Sequence, residues 1–569
     1  TGGGTVNFSG TGNSGIWQPG AVSISNGTLA GTTPVVAGGQ LTWSGGNIYG
    51  DVTADGGSIN VTSGSSVSSG GKLVNNGNLT WTPNSGPRTG GGTIISNTPS
   101  GVISVALNGN NIDSYVYGGA TAFYNAGLIN ISGSGQLGYI TDPFYNTGTV
   151  SINSGTLSFS SGGTNSGTIS AASGADLDFS GGVFTSTASS LISGAGDLSD
   201  SGGGGGTYNL AGPLNLGGSW TFATSATINL TGTTTVSGNT LNLTGGGAYY
   251  FNGTGKNGSW QPGALNLSSG TLQGSTPIVA SGMLTWTGGS IYQELQFEGG
   301  SVNVTAGSSL AGGEFINNGA LAWTPGSGPR TGQGTIISNT PSGVISVELN
   351  GNNIESYAYG GATAFYNAGL IDVSGPGQTG FITDPFFNSG TLNIQSGTLN
   401  LIAGYTSTNA TVNFGISSVT SFGQLAVTGP VTFDGKLDAI ANGYTPAPGD
   451  SFPLITYGSE NGIFNALDLP PHASWQAEYS PTDFSITVEN VTSPFLTLSA
   501  VQPPLPLTSG FEMLLLGPIG SNYTIQASTN LKKPGWVDIT NFTTTYSSFY
   551  ITDTDATNQP ARFYRAYIQ

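Results

Sequence analysis

The chain has 569 residues, enough for one large core or several domains, so size excludes little. Its formal charge of −18, from 27 acids against 9 bases, argues strongly against nucleic acid or an anionic membrane as partner. The absence of cysteine excludes disulfides, thiolate metal sites and cysteine nucleophiles.

The first segment, "TGGGTVNFSGTGNSGIWQPGAVSISNGTLAGTTPVV", alternates apolar residues with Ser, Thr and Asn, which is strand patterning. It returns from Thr244 as "TGGGAYYFNGTGKNGSWQPGALNLSSGTLQGSTPIV", so that Trp17 matches Trp260 and Trp43 matches Trp286. Further on, Thr89–Ser158 and Thr331–Asn400 agree at 55 of 70 positions without a gap. The chain therefore carries a long duplication. No stretch shows the three-and-four spacing of an amphipathic helix, and no apolar run approaches the roughly 18 residues that would span a bilayer.

Inside each copy runs a shorter period marked by Asn-x-Gly: "VNNGNLTW", "FYNAGLINISG", "FYNTGTVSINSG" and "TNSGTIS" in the first, "INNGALAW", "FYNAGLIDVSG" and "FFNSGTLNIQSG" in the second. Intervals of 21 and 19 residues after Asn125 predict a parallel β-helix with two or three short strands per turn. Apolar residues then point into the coil, Gly supplies a positive-φ corner that Asn also tolerates, and stacked Asn residues form an amide ladder. The 50 residues from Asn75 to Asn125, and from Asn317 to Asn367, predict two turns carrying loops at "TPNSGPRTG" and "NGNNIDSYVYGG". Loops on one face of a solenoid commonly bind, which makes Tyr115, Tyr117, Tyr357 and Tyr359 candidate glycan-stacking residues.

We divide the chain into a first β-helix copy with connecting turns at 1–243, a second copy at 244–404, terminal turns and cap at 405–491, and a C-terminal β-sandwich at 492–569. The expected fold class is all-β: a long, right-handed, internally duplicated parallel β-helix followed by that sandwich.

Candidate chemistry is sparse. His472 is the lone histidine and reads as a loop or cap residue; no Ser stands in Gly-x-Ser-x-Gly with a credible partner. Asp142 and Asp384 in "TDPF", with Arg88 and Arg330 in "GPRTG", are the nearest approach to the clusters that polysaccharide lyases and hydrolases use, but turn opening and loop anchoring explain them better. Asp553 and Asp555 in "DTDATN" are the weak candidates for a structural calcium ion, without EF-hand spacing. No cofactor is otherwise expected, and the chain reads as non-enzymatic.

The Asn-x-Gly turns and the "SGTLSF" and "SGTLNL" strands resemble the right-handed β-helix of bacterial surface proteins, autotransporter passengers and filamentous-haemagglutinin-like adhesins. "YTIQASTNLKKPGWVDI" and "FYITDTDATNQPARFYRAYIQ" resemble a C-terminal domain of secreted planctomycete and verrucomicrobial proteins. The resemblance implies an extracellular, surface-located protein, and an opening "TGGGTVNF" without Met reads as processed after secretion. Thr1 begins at the same point of the repeat as Thr244, without a distinct cap, so we expect an end that pairs with another copy. The expected function is a head-to-tail homopolymeric filament, with Thr1, Val6 and Phe8 at one side of the junction and Phe563, Tyr564 and Tyr567 at the other. The alternatives are a monomeric adhesin or glycan-binding stalk and, behind it, a lyase or hydrolase.

Overall fold

The structure is a computed structural model that describes residues 2–61, 64–84, 86–203, 205–304, 307–326, 328–471, 473–491, 497–500, 510–517, 520–532, 535–543, 545–546, 548–559 and 561–568. Thr1 and His472 lie outside the described residues. Strands supply nearly all the regular structure, and the one helix among the described residues is a 3-10 turn at Thr554–Asn558. No helix there is long and apolar enough to cross a membrane.

The period read from the sequence becomes a three-faced coil. In the coil that begins at Ala122–Asn125, this strand forms a first face, Leu128–Ser132 a second and Leu137–Ile140 a third. Alternation sends Phe123, Ile129, Ile131 and Ile140 inward, each 1% exposed or less, and leaves Tyr124 and Asn130 outside. The next coil lies directly above in parallel register, Phe123 over Phe144, Ile129 over Val150 and Tyr139 over Ser158 at one coil further. About 20 such coils make a parallel β-solenoid. Each backbone is satisfied by its neighbours above and below, which is why one short apolar phrase can be reused indefinitely.

Asn at the first corner is fully inside. Asn75 donates its side-chain amide to Asn97 at 2.8 Å, Asn97 to Asn125 at 2.8 Å, Asn125 to Asn146 at 2.7 Å and Asn146 to Asn165 at 2.7 Å. A second ladder joins Asn317, Asn339, Asn367 and Asn388, then ends on the Tyr405 hydroxyl at 3.2 Å. The expected amide ladder is thus present, with one correction to its geometry. Neither Asn125 nor Gly127 adopts positive φ. Glycine is required there by proximity: a Cβ on Gly127 would lie 2.2 Å from the Gly101 carbonyl oxygen and 2.9 Å from Asn97 Nδ2.

The two copies do not lie in phase. From Phe123 the first face passes through Phe144, Gly163, Phe184, Tyr208, Ile228, Tyr249, Leu272, Ile291, Leu310 and Thr331 to Tyr357, eleven coils on. The second copy's Phe365, which matches Phe123 in sequence, sits one face later, on the column that continues to Phe386 and Tyr405. The duplication is therefore turned by one face of the coil.

Past Gly404 the coils continue, longer and less regular, to Ala466–Asp468. The chain then folds back as an antiparallel hairpin, Ala473–Tyr479 with Asp483–Val491, whose second strand pairs with Ser451–Thr456 on the first face. Phe433, Phe464, Tyr479 and Phe484 pack under it with centroids 4.7 to 5.7 Å apart. The C-terminal sandwich consists of two three-stranded sheets, Thr497–Ala500, Phe511–Leu516 and Ser548–Asp553 in one, Val537–Thr543, Asn522–Ser528 and Phe563–Ile568 in the other. Met513, Leu515, Tyr523, Ile525 and Ile551 form its own core.

Candidate functional site

The tyrosine loops follow from the coil's one tolerance, insertion at a corner. After Ser114–Tyr115 the chain leaves the third face and re-enters at Ala122 on the first. Tyr115 and Tyr117 stand 41% and 49% exposed, Tyr357 and Tyr359 45% and 37%. Three of the four phenols hydrogen-bond within the protein. Tyr115 donates to the Gly119 carbonyl at 3.0 Å and Tyr357 to the Gly361 carbonyl at 3.0 Å. Tyr359 shares a hydrogen bond with Ser309 at 2.7 Å, and this bond, with Arg330 beside it, holds its phenol below the ordinary tyrosine range. The one-face rotation places the two loops on different faces, so the four tyrosines do not form one surface.

Asp142 and Asp384 are fully buried, each paired with a second carboxyl that sequence reasoning passed over, Asp113 and Glu355. Asp142 accepts from Thr89 at 2.6 Å and Thr121 at 3.1 Å; Asp113 accepts from the Thr141 amide at 2.6 Å, its hydroxyl at 2.9 Å and the Asp142 amide at 3.2 Å. In the second copy Thr331 contacts Glu355 and Asp384 at 3.0 Å each, and Glu355 accepts from the amides of Thr383 and Asp384. Burial raises all four carboxyls, the neighbouring carboxyl adds to it for Asp113 and Glu355, and Glu355 is pushed up to about 8. The Glu355–Asp384 pair therefore holds a proton at neutral pH, and both pairs fasten the loop at 113 or 355 to the coil above. Arg88 and Arg330 form no ion pair with them among the described residues. The sequence did hold a signal for the partners, since Asp113 in "NNIDSY" becomes Glu355 in "NNIESY", changing length while keeping the carboxyl.

A further acidic group sits on the third face, where Asp176 bonds Ser199 at 2.6 Å and Asp178 accepts from Ser158, Ser199 and Ser201. Burial, with Asp178 and Asp197 nearby, pushes Asp176 up to about 6. Among the described residues, no group of three or more His, Asp or Glu is arranged to hold a metal ion. In the sandwich, Asp553 is 3% exposed and paired with Arg562 at 2.5 Å, and its carboxylate also accepts from the Asp555 amide at 3.1 Å.

At the solenoid's lower end Val6 is 57% exposed although it points inward, and Phe8 is half-buried. Phe563, Tyr564 and Tyr567 belong to the outer strand of one sandwich sheet, paired antiparallel with Asn522–Ser528. Phe563 and Tyr567 are exposed, whereas Tyr564 stacks on Phe511 at 5.1 Å, inside its own domain.

No protein-family model and no curated protein matches the chain.

Proposed function

We propose that this chain is a non-enzymatic extracellular structural protein, the rod-shaped subunit of a homopolymeric surface or matrix filament. The observation that carries the reading is the uninterrupted stack of coils, roughly 100 Å long at ~4.8 Å per coil, from Thr5–Asn7 to Ala466–Asp468. Such a stack has stiffness as its main physical property, because every coil is held by two neighbours. In support, the acid pairs that would be the best candidates for catalysis face the interior, where they lock loops in place. The chain is rich in neutral Ser, Thr and Asn, with only 6% charged residues, so neighbouring rods would meet largely through uncharged groups, while the net charge of −18 makes their packing dependent on salt. The reading needs no cofactor.

A second reading, a glycan-binding stalk, is favoured by one observation, the exposed Tyr115, Tyr117, Tyr357 and Tyr359. Negative-stain electron microscopy of the purified full chain separates the two. Filaments with an axial repeat of at least the solenoid length support the first. Single rods that stay separate at tens of micromolar overturn it, and capture of those rods on a glycan array, lost on replacing the four tyrosines, would establish the second.

A further inference from the structure

The C-terminal sandwich buries polar side chains on the side of a sheet that faces away from its core. In Asn522–Ser528, Tyr523 and Ile525 point into the core, yet the alternate positions Thr524, Gln526 and Ser528 are 9% exposed or less. Side chains of the flanking segments cover them. Arg565 Nε donates to Gln526 Oε1 at 2.8 Å, and Gln526 Nε2 donates to Asp538 Oδ1 at 2.6 Å. Asp538 thus fixes which end of the Gln526 amide meets Arg565, since a carboxylate only accepts. The guanidinium also lies over the Trp536 ring, 4.4 Å from its centroid, with the Tyr567 ring centroid at 6.0 Å. Three neighbours therefore hold one guanidinium in place, while its terminal nitrogens meet no acceptor among the described residues and the side chain stays exposed.

The surroundings of Arg565 describe an anion of a particular kind. Along Phe563–Ile568, Tyr564 and Ala566 pack on the core, so Phe563, Arg565 and Tyr567 share the outer side, a ring, a cation and a ring at roughly 6.6 Å intervals. Phe563 and Tyr567 are 37% and 40% exposed. The loop that follows Ser528 carries the exposed Lys532 and returns at Trp536, at the Phe563 end of this row, because Ser528 pairs with Phe563. Residues 492–569 hold four of the chain's nine bases and four of its 27 acids, so the rest of the chain carries the whole net charge of −18. An anion is repelled by the solenoid and attracted at this cationic row. A guanidinium held in plane with a free fork suits a carboxylate, which it meets with two parallel hydrogen bonds. Exposed rings on either side suit the apolar faces of sugar rings. A single small anion would engage Arg565 and leave both rings idle, whereas a linear chain of acidic sugars uses all three.

We propose that the row Phe563, Arg565 and Tyr567 binds an acidic polysaccharide, a linear polymer of carboxylate-bearing sugars, with Arg565 taking a carboxylate and the flanking rings stacking on sugar faces. Gln526 and Asp538 act through Arg565 as positioning residues. The site is separate from the loop tyrosines and does not depend on whether the chain polymerises; in a filament it ties the fibre to an acidic glycan.

Isothermal titration of the full chain with hexagalacturonate and with its methyl ester tests the proposal, because the ester keeps the rings and removes the charge. We expect the acid to bind at least ~10-fold more tightly than the ester, and Arg565→Gln to lose that preference together with at least ~10-fold in affinity for the acid. Arg565→Lys keeps the charge without the fork and should recover only part of the loss. Tyr567→Ala should weaken acid and ester alike, and Asp538→Ala, which releases the Gln526 amide, should weaken the acid alone. Circular dichroism and melting temperature check that each variant folds. Equal binding of acid and ester, unchanged binding by Arg565→Gln, or no binding of the acid at millimolar concentration would overturn the proposal. Self-association of the unliganded chain that Arg565→Gln abolishes would assign the row to the acidic solenoid of a second copy, and would also overturn it. So would loss of the preference for the acid on replacing Tyr115, Tyr117, Tyr357 and Tyr359 with Arg565 intact. A chain that stays monomeric removes the filament reading and leaves this one standing.

Discussion

Asn125→Ala tests the amide ladder as the element that specifies the coil. The Asn125 amide donates to Asn146 at 2.7 Å, to the Thr149 carbonyl at 3.1 Å and more weakly to the Gly127 carbonyl at 3.3 Å, while its oxygen accepts from Asn97 at 2.8 Å. Truncation removes these bonds and leaves one donor, on Asn97, and two good acceptors without their partner, all buried. At about 1 to 3 kcal/mol for each of these three groups, the local cost is on the order of 3 to 9 kcal/mol. A solenoid distributes little of that beyond the neighbouring coils, so the loss is expected as local opening near residues 97–146. Amide hydrogen exchange should therefore quicken by two or more orders of magnitude in those coils and stay unchanged in the coils of Asn339 and Asn367. Asn130→Ala, on the outward side of the adjoining strand, is the control. If the two variants exchange and melt alike, the ladder is ornamental and the coil is specified by apolar packing alone.

Two further outcomes follow from the same contacts. Gly127→Ala places its Cβ 2.2 Å from one backbone oxygen and 2.3 Å from another, neither of which can rotate away, so destabilisation of at least about 2 kcal/mol is expected in chemical denaturation; Gly20→Ala, where the added Cβ meets nothing within 4 Å, should stay close to wild type. The Glu355 carboxyl, pushed up to about 8 by burial and by Asp384, is protonated when folded and ionises near 4.5 when unfolded. Its contribution is therefore complete at acidic pH and is lost as pH rises from about 4.5 toward 8, at up to about 1.4 kcal/mol per pH unit. Glu355→Gln keeps a neutral group in place and should flatten the pH dependence of the melting temperature in that window; an unchanged slope would show that the pair carries no proton.

Much of the architecture was legible because the sequence states it repeatedly. Alternation in "LINIS" and "TVSI", together with the spacing of Asn125, Asn146 and Asn165, determines strand, corner and coil. The rung at Asn97 was missed since its glycine, Gly101, lies four residues on, beyond the Asn-x-Gly phrase, yet Asn97 makes the same bonds. The role of Gly127 was misjudged for a physical reason: a local sequence suggests a dihedral angle, whereas this glycine answers to a carbonyl 26 residues earlier, in the coil beneath. Asp113 and Glu355 escaped notice similarly, because a carboxyl pair joins positions 29 residues apart and only the register brings them together.

The rotation between the copies was beyond the reach of sequence for a further reason. A gapless alignment fixes the order of strands, but the phase of the second copy depends on how many faces the intervening chain consumes, and residues 164–243 include irregular corners such as Thr231–Asn239 where strand count is ambiguous. Eleven coils and one additional face result. The consequence is geometric. Were the copies in phase, Tyr115 and Tyr357 would stand in one line, and a rod would present a single binding edge to one partner. Turned by one face, the same loops point to neighbouring sides, so lateral contacts made through them would spread around the rod instead of along one edge. On the filament reading, that arrangement would let neighbouring rods approach from more than one side.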